Sequence, residues 1–153
     1  MTKLEKTVEA LRRCVPAADF DAAMNEVERE AATTEAATVE SMSLELLTEL
    51  GAPASLKGHP YIVAGLTMLV EKPELIHAVT KKLYPTIAER CGTTPARVEH
   101  AIRHVIEICW DRGEWTTLIR YFGNTVSDRK GKPTNAEFLA QLANIIRQKM
   151  KEG

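Results

Sequence analysis

"TTPARVEHAIRHVIEICWDRG", residues 93–113, decides how the rest of the chain is read. Val98, Ala101, Ile102, Val105, Ile106 and Cys109 recur three and four residues apart. At about 100° per residue they share one side of a helix. Ala96, His100, Arg103 and Glu107 fall opposite, flanked by Arg97, Glu99 and His104. Thr94 suits a helix cap and Pro95 a first helical position, while Gly113 marks the stop. Two arginines and two histidines facing outward allow three readings: a solvated face, a metal site or a DNA-reading surface.

The neighbouring sequence narrows the choice. Upstream, "PELIHAVTKKLYPTIAERCG" (73–92) is helical on both sides of Pro85, which should kink or restart the run because proline lacks a backbone donor. Gly92 ends it. A helix, a short turn containing glycine, and a second helix with a polar outer face match a helix-turn-helix. In such a unit the second helix enters the major groove. Arg97 can then donate two hydrogen bonds to guanine, and Glu99 can accept one from cytosine. Arg103 and His104 suit flanking phosphates, which position a protein without reading sequence.

Further out, Leu4, Val8, Leu11 and Val15 keep helical spacing up to Pro16. Residues 32–40 are rich in Ala, Thr and Glu with few large apolar anchors, and are expected to be a linker or frayed helix. A helix should then run to Leu50, with Gly51 as its left-handed cap and Pro53 as the break. Another is expected from about Pro60 to Lys72 and Pro73, and a short one within "EWTTLIRYFG" (114–123). After the loop "NTVSDRKGKP" (124–133), Thr134 and Glu137 form a capping box for a last helix with Phe138, Leu142, Ile145 and Ile146 on its core side. No alternating strand pattern appears, so the expected class is all-α. The expected division is a helical appendage and linker over 1–40 and a main domain over 41–153.

Composition agrees with one main domain. The chain has 153 residues, 44% of them hydrophobic but only 5% aromatic, so its core should be aliphatic. The longest apolar stretch, residues 61–70, is too short to span a bilayer, and no export leader is recognisable. Cys14, Cys91 and Cys109 are odd in number and lack metal spacing, which fits a reducing cytoplasm. Net charge is −1, but residues 1–50 hold five basic and eleven acidic side chains (−6). The remainder holds fifteen basic and ten acidic (+5). Such an asymmetry suits either a basic working surface beside an acidic segment or two ordinary solvated helix faces.

His100 and His104 have the i, i+4 spacing of metal ligands, but no third ligand is evident, so no metal is expected. "VSDRKGKPT" has Val126 and Pro133 where a phosphate loop needs glycine and serine or threonine. Arg129, Lys130 and Lys132 there suit a basic arm for DNA phosphates, with a simple solvated turn as the alternative. No nucleophile–base constellation points to an enzyme, and no cofactor is implied. Trp110 and Trp115 are expected to pack in the core, and His59 and His77 to lie at helix ends or on the surface. Two functional classes remain: a DNA-binding regulator, and an interaction module that modulates RNA polymerase or another regulator with little DNA binding.

A resemblance bears on that choice. "LGAPASLKGHPYI", "LYPTIA", "RVEHAIRH", the Trp110–Gly113 motif W-x-RG, "FGNTVS" and "KPTNAEF" follow in order and spacing across about residues 41–150. Together they resemble the C-terminal DNA-binding effector domain of the stage-zero sporulation protein A response regulators of endospore-forming Firmicutes. The resemblance implies a six-helix bundle that binds repeated promoter boxes, often as tandem copies or a dimer, and activates or represses transcription. It places the recognition residues on Arg97, Glu99, His100, Arg103 and His104. The family usually has arginine where this chain has His100, which implies an altered box preference. It also implies a surface for the RNA polymerase sigma factor around Thr117, Phe122 and Val126. Some forty residues precede the match, where the family carries a receiver domain of over a hundred. If the chain is complete, aspartyl phosphorylation is not its switch.

Overall fold

The computed structural model describes Lys3, residues 17–123 and residues 131–152. Among the described residues there is no strand, and there are six α-helices. They are α1 (Ala17–Glu49), α2 (Gly58–Glu71), α3 (Tyr84–Cys91), α4 (Pro95–Arg112), α5 (Trp115–Phe122) and α6 (Asn135–Glu152). The fold is all-α. The chain divides into two compact units, with the boundary between Thr38 and Val39.

In the first unit, residues 32–38 continue α1 without a break, although their sequence suggests a linker or fraying. The reason is local. Alanine and glutamate are strong helix formers, and the hydroxyls of Thr34 and Thr38 donate to the carbonyls of Glu30 and Thr34 at 2.9 Å each. The described side chains over 25–38 are exposed or half-buried, so this part of the helix carries no core. The apolar stripe Leu4–Val8–Leu11–Val15 lies outside the described residues.

The second unit begins where large apolar anchors return. Val39, Leu46, Leu47 and Leu50 are buried, and α1 then ends in Gly51, whose φ of 85° is open to glycine at little cost. These side chains join one aliphatic core with Ile62, Leu66 and Leu69 of α2, Ile87 of α3, Val98, Ile102 and Val105 of α4, and Leu139, Leu142 and Ile146 of α6. Aromatics close one end. Phe122 stacks on Phe138 at 5.4 Å, and Trp110 meets Phe122 edge-on at 5.2 Å. Trp110 therefore packs as its sequence implies, but Trp115 does not: it is 63% exposed.

Between α2 and α3 the chain forms a 3₁₀ segment (Pro73–Ala78) and one π-helical turn (Val79–Leu83). Pro85 sits just beyond, in the first turn of α3, and cannot donate to the preceding turn. The proline thus restarts the helix through a widened turn. Side chains tie off helix ends elsewhere: Arg147 donates to the Leu69 carbonyl (3.0 Å), and Gln141 to that of Tyr121 (2.7 Å).

Candidate nucleic-acid interface

The site is built on α3 and α4. Gly92 adopts φ 67°, and the Gly92 and Thr93 amides both donate to the Ala88 carbonyl, closing α3 with a left-handed cap. Two residues later Thr94 caps α4, its hydroxyl accepting from the Arg97 amide at 3.3 Å, and Pro95 occupies the first turn. The turn between helices is thus three residues long and held at both ends. Val98, Ile102, Val105, Ile106 and Cys109 anchor the inner face of α4.

Three further contacts fix α4. The Asn135 amide donates both to the Tyr84 hydroxyl (3.1 Å) and to the Glu99 carbonyl (3.0 Å), tying α6, α3 and α4 together. Gly58 of α2 lies so close that a Cβ there would stand 2.3 Å from the Ala101 carbonyl oxygen and 2.7 Å from Val105. Gly113, which ends α4, is equally confined by the Cys109 and Leu50 carbonyls. Burial pushes the Cys109 thiol up to about 12 and Tyr84 above its usual range, so both stay protonated as packing groups.

On the outer face Arg97, His100, Arg103 and His104 are all exposed, and Glu99 is half-buried. The four cationic or imidazole groups occupy one surface, as their spacing implies. Their states differ. The Arg103 guanidinium lies 3.5 Å from the Glu99 carboxylate and 3.1 Å from His100 Nδ1. Lys132 is exposed on the same side and lies 3.8 Å from the Glu107 carboxylate. Arg97 has no side-chain partner among the described residues. Arg129, Lys130 and Val126 lie outside the described residues.

Thr117 is half-buried, and Phe122 is 1% exposed, stacked in the core. Phe122 follows Leu118 by one turn on the apolar face of α5, so its side chain offers no outer surface. The exposed apolar residues of that helix are Trp115 and Ile119, the latter 49% exposed. Among the described residues, no group of three or more histidine, cysteine, aspartate or glutamate side chains is placed to hold a metal ion. No helix there is long and apolar enough to cross a membrane.

Sequence reasoning missed Lys57. It is exposed and lines an open cleft of about 840 Å³ with Tyr61, Cys91, Thr93, Arg97 and His100. Only the packing of α2 on α4, through Gly58, brings it there. His59, two residues along, lies at a helix end, in the first turn of α2, but is buried at 6% exposure, and burial pushes its imidazole below the ordinary value. His77 is exposed.

The family model for the sporulation initiation factor Spo0A C-terminal domain matches residues 44–146, well over half of the chain. The matched span holds α2 to α6 nearly entire and the whole helix-turn-helix. An all-helical unit with a capped α3–turn–α4 and an outward cationic face belongs, by this match, to the family of the C-terminal DNA-binding domain of sporulation initiation factor Spo0A.

Proposed function

We propose that the chain is a sequence-specific transcription regulator that reads promoter boxes through α4. The observation carrying this reading is the first two turns of α4. Val98 roots them in the core, while their outer side presents Arg97 and His100 to solvent, with a capped three-residue turn behind them. Arg97, Glu99 and His100 face the bases, with Arg97 donating two parallel bonds to a guanine. Arg103, His104 and Lys132, with Arg129 and Lys130 of the loop, meet phosphates. Glu99 and Arg103 must exchange their mutual ion pair for DNA partners, whereas Arg97 needs no such exchange. The role calls for no catalysis and no cofactor, and it is carried out in the cytoplasm.

Residues 41–153 form the working domain and 1–40 an appendage. Binding as tandem copies or a dimer would follow the repeated boxes that the resemblance implies. A second reading, contact with the RNA polymerase sigma factor, is favoured by the exposed Trp115 and Ile119. Of the three positions the resemblance suggests, Thr117 stays in this proposal and Val126 with it, while Phe122 contributes through the core.

The test is a titration of the full chain on a duplex selected for binding and on a scrambled duplex, over a range of salt. Several neutralised phosphates require the logarithm of affinity to fall with a slope of about −0.9 per contact against log salt. Arg97→Ala should reduce the preference for the selected duplex, and Lys132→Ala should weaken both alike. A flat salt dependence in the wild-type chain would leave the interaction-module reading instead.

A further inference from the structure

The two flanks of α4 carry cations in different electrostatic states. On the loop flank, Arg103 and Lys132 sit beside Glu99 and Glu107 in a cleft of about 550 Å³. On the α2 flank, Lys57 and Arg97 have no carboxylate within ion-pair distance among the described residues. Lys57 is also held in place. A turn closed by Leu56 N–H to the Pro53 carbonyl (3.2 Å) precedes it, and His59 N–H donates back to the Leu56 carbonyl (3.1 Å). Gly58 then clamps the backbone onto Ala101 and Val105, so Lys57 cannot drift away from α4 without opening that contact.

A helix lying in the major groove, about 12 Å wide, has a sugar–phosphate strand along each side. We infer that Lys57 is the phosphate contact for one strand, opposite the strand met by Arg103 and Lys132, and that it sets the register of α4 in the groove. This rests on the DNA-binding reading and adds to it a residue and an asymmetry. A cation already paired with a carboxylate gains little net charge neutralisation on binding, because the carboxylate is left facing the phosphates. An unpaired one releases its full counterion. The α2 flank therefore supplies more of the salt-dependent affinity per cation than the loop flank.

The experiment measures affinity against salt for the full chain on the selected and scrambled duplexes. Lys57→Ala should weaken both alike and make the log–log slope shallower by about 0.9, one phosphate's worth. Lys57→Arg should restore both. Lys132→Ala should change the slope less, and Glu107→Gln should tighten binding by freeing Lys132. Lys57 is exposed, so melting temperature should be the same in all its variants. An unchanged slope for Lys57→Ala, with the wild type still binding, overturns the inference and leaves the DNA reading standing. So does a loss confined to the selected duplex, which would make Lys57 a reader of bases. If the wild type binds neither duplex, the DNA reading itself falls and takes the Lys57 assignment with it.

Discussion

The inner and outer faces of α4 belong to one helix and obey different rules. The inner residues Val98, Ile102 and Val105 are fully buried and touch the core. Among the described residues, the outer side chains Arg97, His100, Arg103 and His104 make hydrogen bonds and ion pairs only within α4, or none. Stability is thus concentrated on one face and freedom to recognise on the other. The difference teaches that substitutions on the two faces should separate folding from binding.

The largest effect should come from the inner face. Ile102→Ala removes buried methylenes from a site closed on all sides, at a cost of about 2–5 kcal/mol. Thermal melting should show the loss, and DNA affinity should fall only as far as the folded fraction does. Gly58→Ala sharpens the same comparison. Its Cβ meets backbone at Ala101, so α2 and α4 must separate, at about 1–3 kcal/mol. Because that contact also sets the position of α4, binding should fall beyond the loss in melting temperature. Equal binding by the folded fraction would show that the clamp does not position α4.

An outer-face change should do the reverse. Arg97→Ala should cost about 1–3 kcal/mol of discrimination between selected and scrambled DNA with melting unchanged. A large drop in melting temperature would show that the outer face is part of the fold.

A smaller effect is expected with pH. Buried His59 has its pKa below the ordinary 6.5, so below that value the unfolded chain binds more protons than the folded one. Stability should therefore fall as pH drops from about 6.5 towards the folded-state pKa, and level off beneath it. His59→Gln should flatten the dependence in that window, and a wild-type dependence that persists in the variant would assign it elsewhere. The smallest effect should come from removing residues 1–38. That segment holds no described buried side chain, so a chain beginning at Val39 should still melt cooperatively and near the wild-type temperature. An unfolded circular dichroism spectrum would contradict the domain proposal.

Local signals made much of this legible in the sequence. Gly92, Thr94, Pro95 and the Thr134–Glu137 box act within four residues of themselves. The structure shows each in use, with Thr134 Oγ1 accepting from the Glu137 amide at 3.2 Å and donating to its carboxylate at 3.0 Å. Residues 32–40 misled because helix propensity without apolar period looks like a linker. Lys57, Phe122 and Trp115 were illegible for a different reason. Lys57 is placed by the packing of Gly58 on Ala101 and Phe122 by its stacking on Phe138, while Trp115 is left outside the core. The ion pairs that occupy Arg103 and Lys132 follow the same division. Glu99–Arg103 is one turn apart and readable, whereas Glu107–Lys132 requires the fold.

The most direct test of the outer face as a reader of sequence is selection of bound duplexes from a random library, run in parallel on the wild type, Arg97→Ala and His100→Arg. The wild type should enrich a defined box, Arg97→Ala should lose enrichment at one guanine, and His100→Arg should shift preference toward guanine at a neighbouring position. Enrichment of the same box by all three proteins, or of none by the wild type, would contradict the assignment of sequence reading to α4.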